Sequence, residues 1–166
     1  MIRELKSVIK SFNDVRDLPL KMPENIRDVD LRCWGKARRL YDLLNSEGLN
    51  VRFRVAEFDW TKQNLPEEIV AKVPNKIDQH LFVEAEINGS WACLDPANDS
   101  NLPNSNKWDG KFPCKLCVNH IKTFSVYESE RLEKQEKLDY RNNFEKYKEF
   151  YTALNRFLDK AHGVRK

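Results

Sequence analysis

The chain has 166 residues and a mass of 19.7 kDa, a length typical of one domain with a hydrophobic core. Its 29 basic and 26 acidic residues are mixed along the chain and leave a formal net charge of +3. Because no basic segment with interleaved aromatic residues stands apart, composition argues against a nucleic-acid partner. The first ten residues carry charges every few positions, which is unlike a signal peptide or a membrane span. We therefore expect a cytoplasmic protein with no membrane partner.

Apolar residues at helical spacing predict a first helix over residues 3–12, followed by a loop with two prolines. A stronger helix is predicted over residues 31–47, with Asp28 or Asp30 as its N-cap and Gly48 as its stop. Either cap places Cys33 within about the first turn. Free backbone N–H groups and the helix dipole favour an anionic sulfur there.

Alternation of apolar residues with arginines predicts a strand over residues 51–58. Two prolines in residues 59–78 predict a long loop with a short helical turn, and loops of this length inside a compact domain are often functional. The next stretch, residues 79–99, has the pattern of two short strands joined at Asn88-Gly89. This dipeptide tolerates the positive φ angles of a two-residue hairpin turn.

The predicted hairpin turn sets the register of the two strands. Ile87 faces Ser90, and His80 and Asp95 become diagonal neighbours on one face of the hairpin. A histidine oriented by a carboxylate supplies two of the three members of a nucleophilic triad.

The rest of the chain predicts an edge strand over residues 122–127 and a long helix over residues 128–162. The apolar face of that helix is interpreted as core or dimer surface. The order of elements predicts a single α+β domain over residues 1–166, with a core at about 28–127. In this fold an antiparallel sheet packs against an N-terminal cysteine-bearing helix. A cysteine there can face a histidine and an aspartate on adjacent strands, and the candidates are Cys33, His80 and Asp95.

Two stretches carry a family resemblance: C-W-G-K-A-R-R-L-Y-D-L-L-N-S-E-G-L-N-V-R-F-R-V at 33–55, and H-L-F-V-E-A-E-I-N-G-S-W-A-C-L-D-P at 80–96. In order and spacing they resemble the transglutaminase-like superfamily of papain-type thiol enzymes. The resemblance implies Cys33 as nucleophile, His80 as base and Asp95 as the residue that orients the base.

The implied activity is that of a cysteine protease or amidase. Such a hydrolase or acyl transferase acts on peptide or protein amide bonds through a thioester and uses no cofactor. We expect hydrolysis rather than cross-linking, because no acidic cluster has the spacing of a calcium loop. The alternative is a catalytically silent module of the same type, which binds a protein through its groove or its C-terminal helix.

A competing motif lies in P-C-K-L-C-V-N-H at 113–120. C-x-x-C brings Cys114 and Cys117 within reach of one zinc ion, and His120 or Cys93 are candidates for further ligands. Since a second C-x-x-C is absent, a structural pair of thiols accounts for the motif equally well.

Overall fold

A computed structural model of the chain describes residues 2–111 and 114–163, with side chains from residue 5 onward. The fold is α+β, as predicted, and its antiparallel sheet has the strand order β3-β2-β1-β4. The elements in chain order are α1 (Ile2–Arg16), α2 (Cys33–Ser46), β1 (Val51–Asp59), a 3-10 turn (Trp60–Lys62), α3 (Glu67–Val70), β2 (Ile77–Ile87), β3 (Ser90–Leu94), β4 (His120–Thr123) and α4 (Val126–Ala161).

The cysteine-bearing helix α2 begins at Cys33 itself. Its N-cap is Arg32, so the prediction of Asp28 or Asp30 was wrong. Asp30 instead accepts the Arg32 backbone N–H at 3.0 Å and forms a tight turn just before the helix. The carboxylate of Asp28 accepts two backbone N–H groups further upstream. Gly48 ends the region with φ of +85°, as predicted for a helix stop.

The hairpin of β2 and β3 has the predicted turn and register. Asn88 and Gly89 have φ values of +53° and +76°, and Ile87 pairs with Ser90. The loop before the hairpin is shorter than predicted, because Ile77 and Asp78 already pair with the end of β1.

The last strand and the last helix both begin earlier than predicted. β4 covers His120–Thr123 rather than 122–127, and α4 begins at Val126. The physical reason is a helix cap, since the Ser125 hydroxyl accepts the backbone N–H of Glu128 at 3.2 Å. A capping serine starts the helix where the apolar alternation alone had extended the strand.

Two clusters of buried apolar side chains form the interior. One lies between α1, α2 and the sheet, and its members include Val8, Phe12, Trp34, Ala37, Leu40, Val55, Leu81, Val83 and Leu94. The other lies beneath α4 and contains Met22, Ile69, Val73, Leu102, Phe144, Phe150, Tyr151, Leu154 and Leu158. Among helices in the described ranges, none has the length and apolar character needed to cross a bilayer.

Candidate active site

His80 and Asp95 form a buried pair at the end of the hairpin. The Nε2 atom of His80 lies 2.7 Å from Oδ2 of Asp95. The two residues are 2% and 0% exposed. His80 belongs to β2 and Asp95 directly follows β3, so the predicted proximity of the two side chains is confirmed. With Nε2 engaged, Nδ1 is the ring nitrogen available to a nucleophile.

The carboxylate of Asp95 is fixed by backbone donors as well as by the imidazole. Oδ1 accepts the N–H of Ala97 at 3.1 Å, and Oδ2 accepts the N–H of Cys117 at 2.6 Å. Burial acts to raise the pKa of Asp95, but His80 and these donors outweigh it and hold the pKa below its usual value. Asp95 is therefore an ionised, immobile acceptor that orients the ring of His80.

Cys33 is half-buried and lines a cleft together with His80. Burial acts to lower the pKa of His80, but the charges of Asp95 and Cys33 and their hydrogen bonds to the ring raise it to about 10. The sulfur therefore influences the charge state of the imidazole. A cysteine at a helix start next to a protonated histidine is the arrangement that activates a thiolate.

Lys36 ties the start of α2 to the region around Asp95. Its side chain is 0% exposed, and Nζ donates to the carbonyl groups of Arg16, Leu18 and Ala97 at 2.9, 2.7 and 2.9 Å. Burial lowers the pKa of Lys36 to about 8 despite nearby carboxylates. Sequence reasoning missed this role. The available signal was helical position, because residue 36 lies one turn after Cys33 and one turn before the buried Leu40.

The cleft beside Cys33 has a volume of about 550 Å³ and is walled by α4 and by the loop after β1. The sequence interpretation of the α4 face as core or dimer surface is therefore incomplete, because the same face also forms a cleft wall. The aromatic residues that line the cleft are Trp34, Phe58, Trp60, Tyr140, Tyr147, Phe150, Tyr151 and Phe157. Aromatic walls are typical of ligand sites.

An ion-pair network holds the α4 wall against the first turns of α2. The Arg32 guanidinium donates to Asp30 at 2.8 Å and to Glu136 at 2.9 Å. Arg38 bridges Glu133 and Glu136, in each case at 2.7 Å. The Arg32 guanidinium also lies over the Tyr140 ring of α4, 4.5 Å from the ring centroid. The residue next to the candidate nucleophile is thus anchored to the helix that closes the cleft.

The zinc candidates do not form a metal site in the structure. Among the described side chains, those of residues 5–111 and 114–163, no three His, Cys, Asp or Glu are placed to hold a metal ion. The Cys114 sulfur accepts the backbone N–H of Asp95 at 3.2 Å, and Cys93 forms a hydrogen bond with Cys114 that raises the pKa of the Cys114 thiol. His120 is exposed at the start of β4. The C-x-x-C segment thus supports Asp95, chiefly through the backbone of Cys117.

Comparisons of this chain with protein-family models, with curated proteins and with solved structures found no match. Its function is therefore argued from the residues and geometry of the site.

Proposed function

We propose that this chain is a transglutaminase-like thiol amidohydrolase that cleaves peptide or protein amide bonds, with Cys33, His80 and Asp95 as its triad. The observation that carries the proposal is the buried pair of His80 and Asp95 beside a cysteine at a helix start. Burial of an ionised pair costs desolvation free energy. Buried groups with shifted pKa values are therefore common at functional sites.

The reaction begins with attack of the Cys33 sulfur on the amide carbonyl carbon. As the S–C bond forms and the C–N bond breaks, the imidazolium of His80 gives its proton to the leaving amine. Water then attacks the thioester, and His80 takes one of its protons while the C–S bond breaks. A carboxylic acid leaves, and the Cys33 thiolate and the His80 imidazolium are restored. Asp95 holds the imidazole in one orientation through both steps.

The negative charge that develops on the carbonyl oxygen needs hydrogen-bond donors. Cys33 is the first residue of α2, so its backbone N–H has no acceptor within the helix. A carbonyl oxygen bound next to the sulfur meets this N–H and the positive end of the helix dipole.

Alkylation kinetics test the proposal on the intact chain. With iodoacetamide at neutral pH and peptide mapping by mass spectrometry, we expect Cys33 to react about tenfold or more faster than each of the other three cysteines. His80→Ala should remove most of this advantage, whereas Cys93→Ala, the matched cysteine control, should keep it. Four cysteines that react alike, and rapidly only at alkaline pH, would instead indicate the catalytically silent protein-binding module.

A further inference from the structure

A second carboxylate lies in the cleft close to the triad. Asp78 precedes His80 by two residues on β2, so both side chains project from the same face of the strand, about 7 Å apart along it. Asp78, His80 and Cys33 all line the same cleft. A group bound at Asp78 therefore shares the cleft with the attacking sulfur and lies about two residues' rise from His80.

The partners of Asp78 are neutral. One oxygen accepts the indole N–H of Trp60 at 3.0 Å, and the other accepts the backbone N–H of Gln79 at 2.8 Å. No ion pair in the described part of the chain includes Asp78. Burial outweighs these donors and raises the pKa of this carboxyl group, whereas the pKa of Asp95 is lowered. Asp78 is thus a carboxylate in an apolar setting whose charge is not balanced by a contacting cation.

The Trp60 ring, which contacts this carboxylate, belongs to a group of packed aromatic rings. The Trp60 ring contacts Phe58 and Phe150, with centroid distances of 4.8 and 4.9 Å. Tyr147 lies near enough that the charge of Asp78 adds to burial in raising the pKa of its hydroxyl group to about 12. Aromatic faces beside a carboxylate form a favourable site for an organic cation, which gains both ionic and cation–π attraction.

Arg32, the arginine that lines the cleft, forms no ion pair with Asp78. Its guanidinium donates to Asp30 and Glu136. Of the other two carboxylates on the lining, Glu136 is paired with Arg32 and Arg38, and Asp139 adds negative potential to the same wall. The electrostatics of the cleft therefore favour a positively charged occupant.

We propose that Asp78 is a specificity-determining residue that binds the basic side chain of a lysine or arginine next to the scissile amide. The position of that amide rests on the proposed function, whereas the cation site itself rests on Asp78 and the surrounding rings.

A titration followed by ¹H–¹⁵N spectroscopy tests the cation site without any catalysis. The Trp60 indole N–H donates to Asp78, so its cross-peak, assigned with Trp60→Phe, reports directly on the carboxylate. We expect a saturable shift with Nα-acetyl-lysine amide and about tenfold weaker binding of Nα-acetyl-norleucine amide, which has a neutral side chain of similar length. Equal binding of the two compounds would overturn the proposal.

Matched variants assign the preference to one carboxylate. Asp78→Asn should abolish the preference for lysine, and Asp42→Asn, which removes the same charge from an exposed position on α2, should keep it. A preference that survives Asp78→Asn would overturn the proposal. If circular dichroism shows that Asp78→Asn does not fold, the wild-type comparison of the two amides at the Trp60 cross-peak decides.

Labelling of Cys33 by the chloromethyl ketones of Nα-acetyl-lysine and Nα-acetyl-norleucine separates this inference from the proposed function. The proposed function predicts labelling that is selective for Cys33, and the role of Asp78 predicts that this labelling is about tenfold faster for the lysine compound. Selective labelling at equal rates would overturn the role of Asp78 and leave the thiol chemistry intact. A lysine-specific shift at Trp60 without selective labelling of Cys33 would support the cation site at Asp78 and overturn the thiol chemistry.

Discussion

The two walls of the candidate site are built in different ways. The hairpin side brings His80 and Asp95 together through a two-residue turn and a short antiparallel register. The α4 side is placed by ion pairs between residues about 100 positions apart, Arg32 with Glu136 and Arg38 with Glu133. Local geometry therefore sets the positions of the reacting groups, and ion pairs between distant residues set the position of the wall beside which a substrate binds.

The two carboxylates of the cleft show the same contrast. Asp95 is fully buried, contacts the charged ring of His80 and accepts backbone donors, so it remains ionised. Asp78 has neutral donors and a raised pKa. A carboxylate whose charge is balanced within the protein can orient a catalytic group, whereas one whose charge is not balanced is available to a ligand.

The largest effect should follow from removing the charge on the hairpin side. Asp95→Asn leaves the ring of His80 without its anionic partner, and we expect the alkylation of Cys33 by the chloromethyl ketone of Nα-acetyl-lysine to slow by about a hundredfold or more. The second-order labelling rate measures this effect. Asp42→Asn is the matched control, and an equal loss in both variants would remove the special role of Asp95.

On the α4 side, Arg32→Met should cost about 1–3 kcal/mol of unfolding free energy, because it takes the cation from the half-buried Asp30 and leaves Glu136 with Arg38 alone. Urea unfolding measures the loss. The exposed Arg39 gives the control, since Arg39→Met should change stability by less than about 0.5 kcal/mol. A loss for Arg32→Met as small as that of the control would show that the network does not hold the wall.

Lys36 joins α2 to the segment that follows Asp95 and predicts a pH dependence of stability. Its pKa is about 8 in the folded chain and near 10.5 without burial, so the unfolded chain binds more protons between these values. Wild-type stability should therefore rise relative to Lys36→Met as the pH rises from about 8 to 10.5. Urea unfolding at several pH values checks this. A flat difference across that window would mean that the lysine titrates normally.

The smallest effect is expected at the hairpin turn. Gly89 has φ of +76°, and no atom lies within 4 Å of the position that a Cβ would take, so Gly89→Ala meets strain but no clash. We expect a loss of about 1 kcal/mol in unfolding free energy and an unchanged alkylation rate for Cys33. A strong loss of alkylation would indicate that the register slips, which would separate His80 from Asp95.

Sequence reasoning reached the hairpin side because its signals are local. Asn88-Gly89 requires a tight turn, and the turn together with strand alternation places His80 near Asp95. The same reasoning placed Cys33 at a helix start but chose the wrong cap, because Asp30 uses its carboxylate for a turn instead of a helix cap.

Local sequence patterns did not predict the α4 side of the cleft. An amphipathic aromatic helix has the same sequence pattern whether it covers a core or lines a cleft, and its partners Arg32 and Arg38 are far away in the chain. Asp78 was assigned to a loop because the strand begins at Ile77, within a segment that has no alternation. The support that Cys117 gives to Asp95 comes from a backbone N–H, which no side-chain motif reveals.

The central claim is that the Cys33 sulfur, the His80 ring and the Asp95 carboxylate act on one another, and the ring of His80 reports on both contacts. Its pKa, measured from ¹⁵N chemical shifts of the imidazole, should be about 10 in the wild-type chain. The pKa should fall in Cys33→Ala, because the sulfur helps to hold the proton, and should stay unchanged in Cys93→Ala. A His80 pKa near 6.5 in the wild-type chain, or one that does not respond to Cys33→Ala, would contradict the triad.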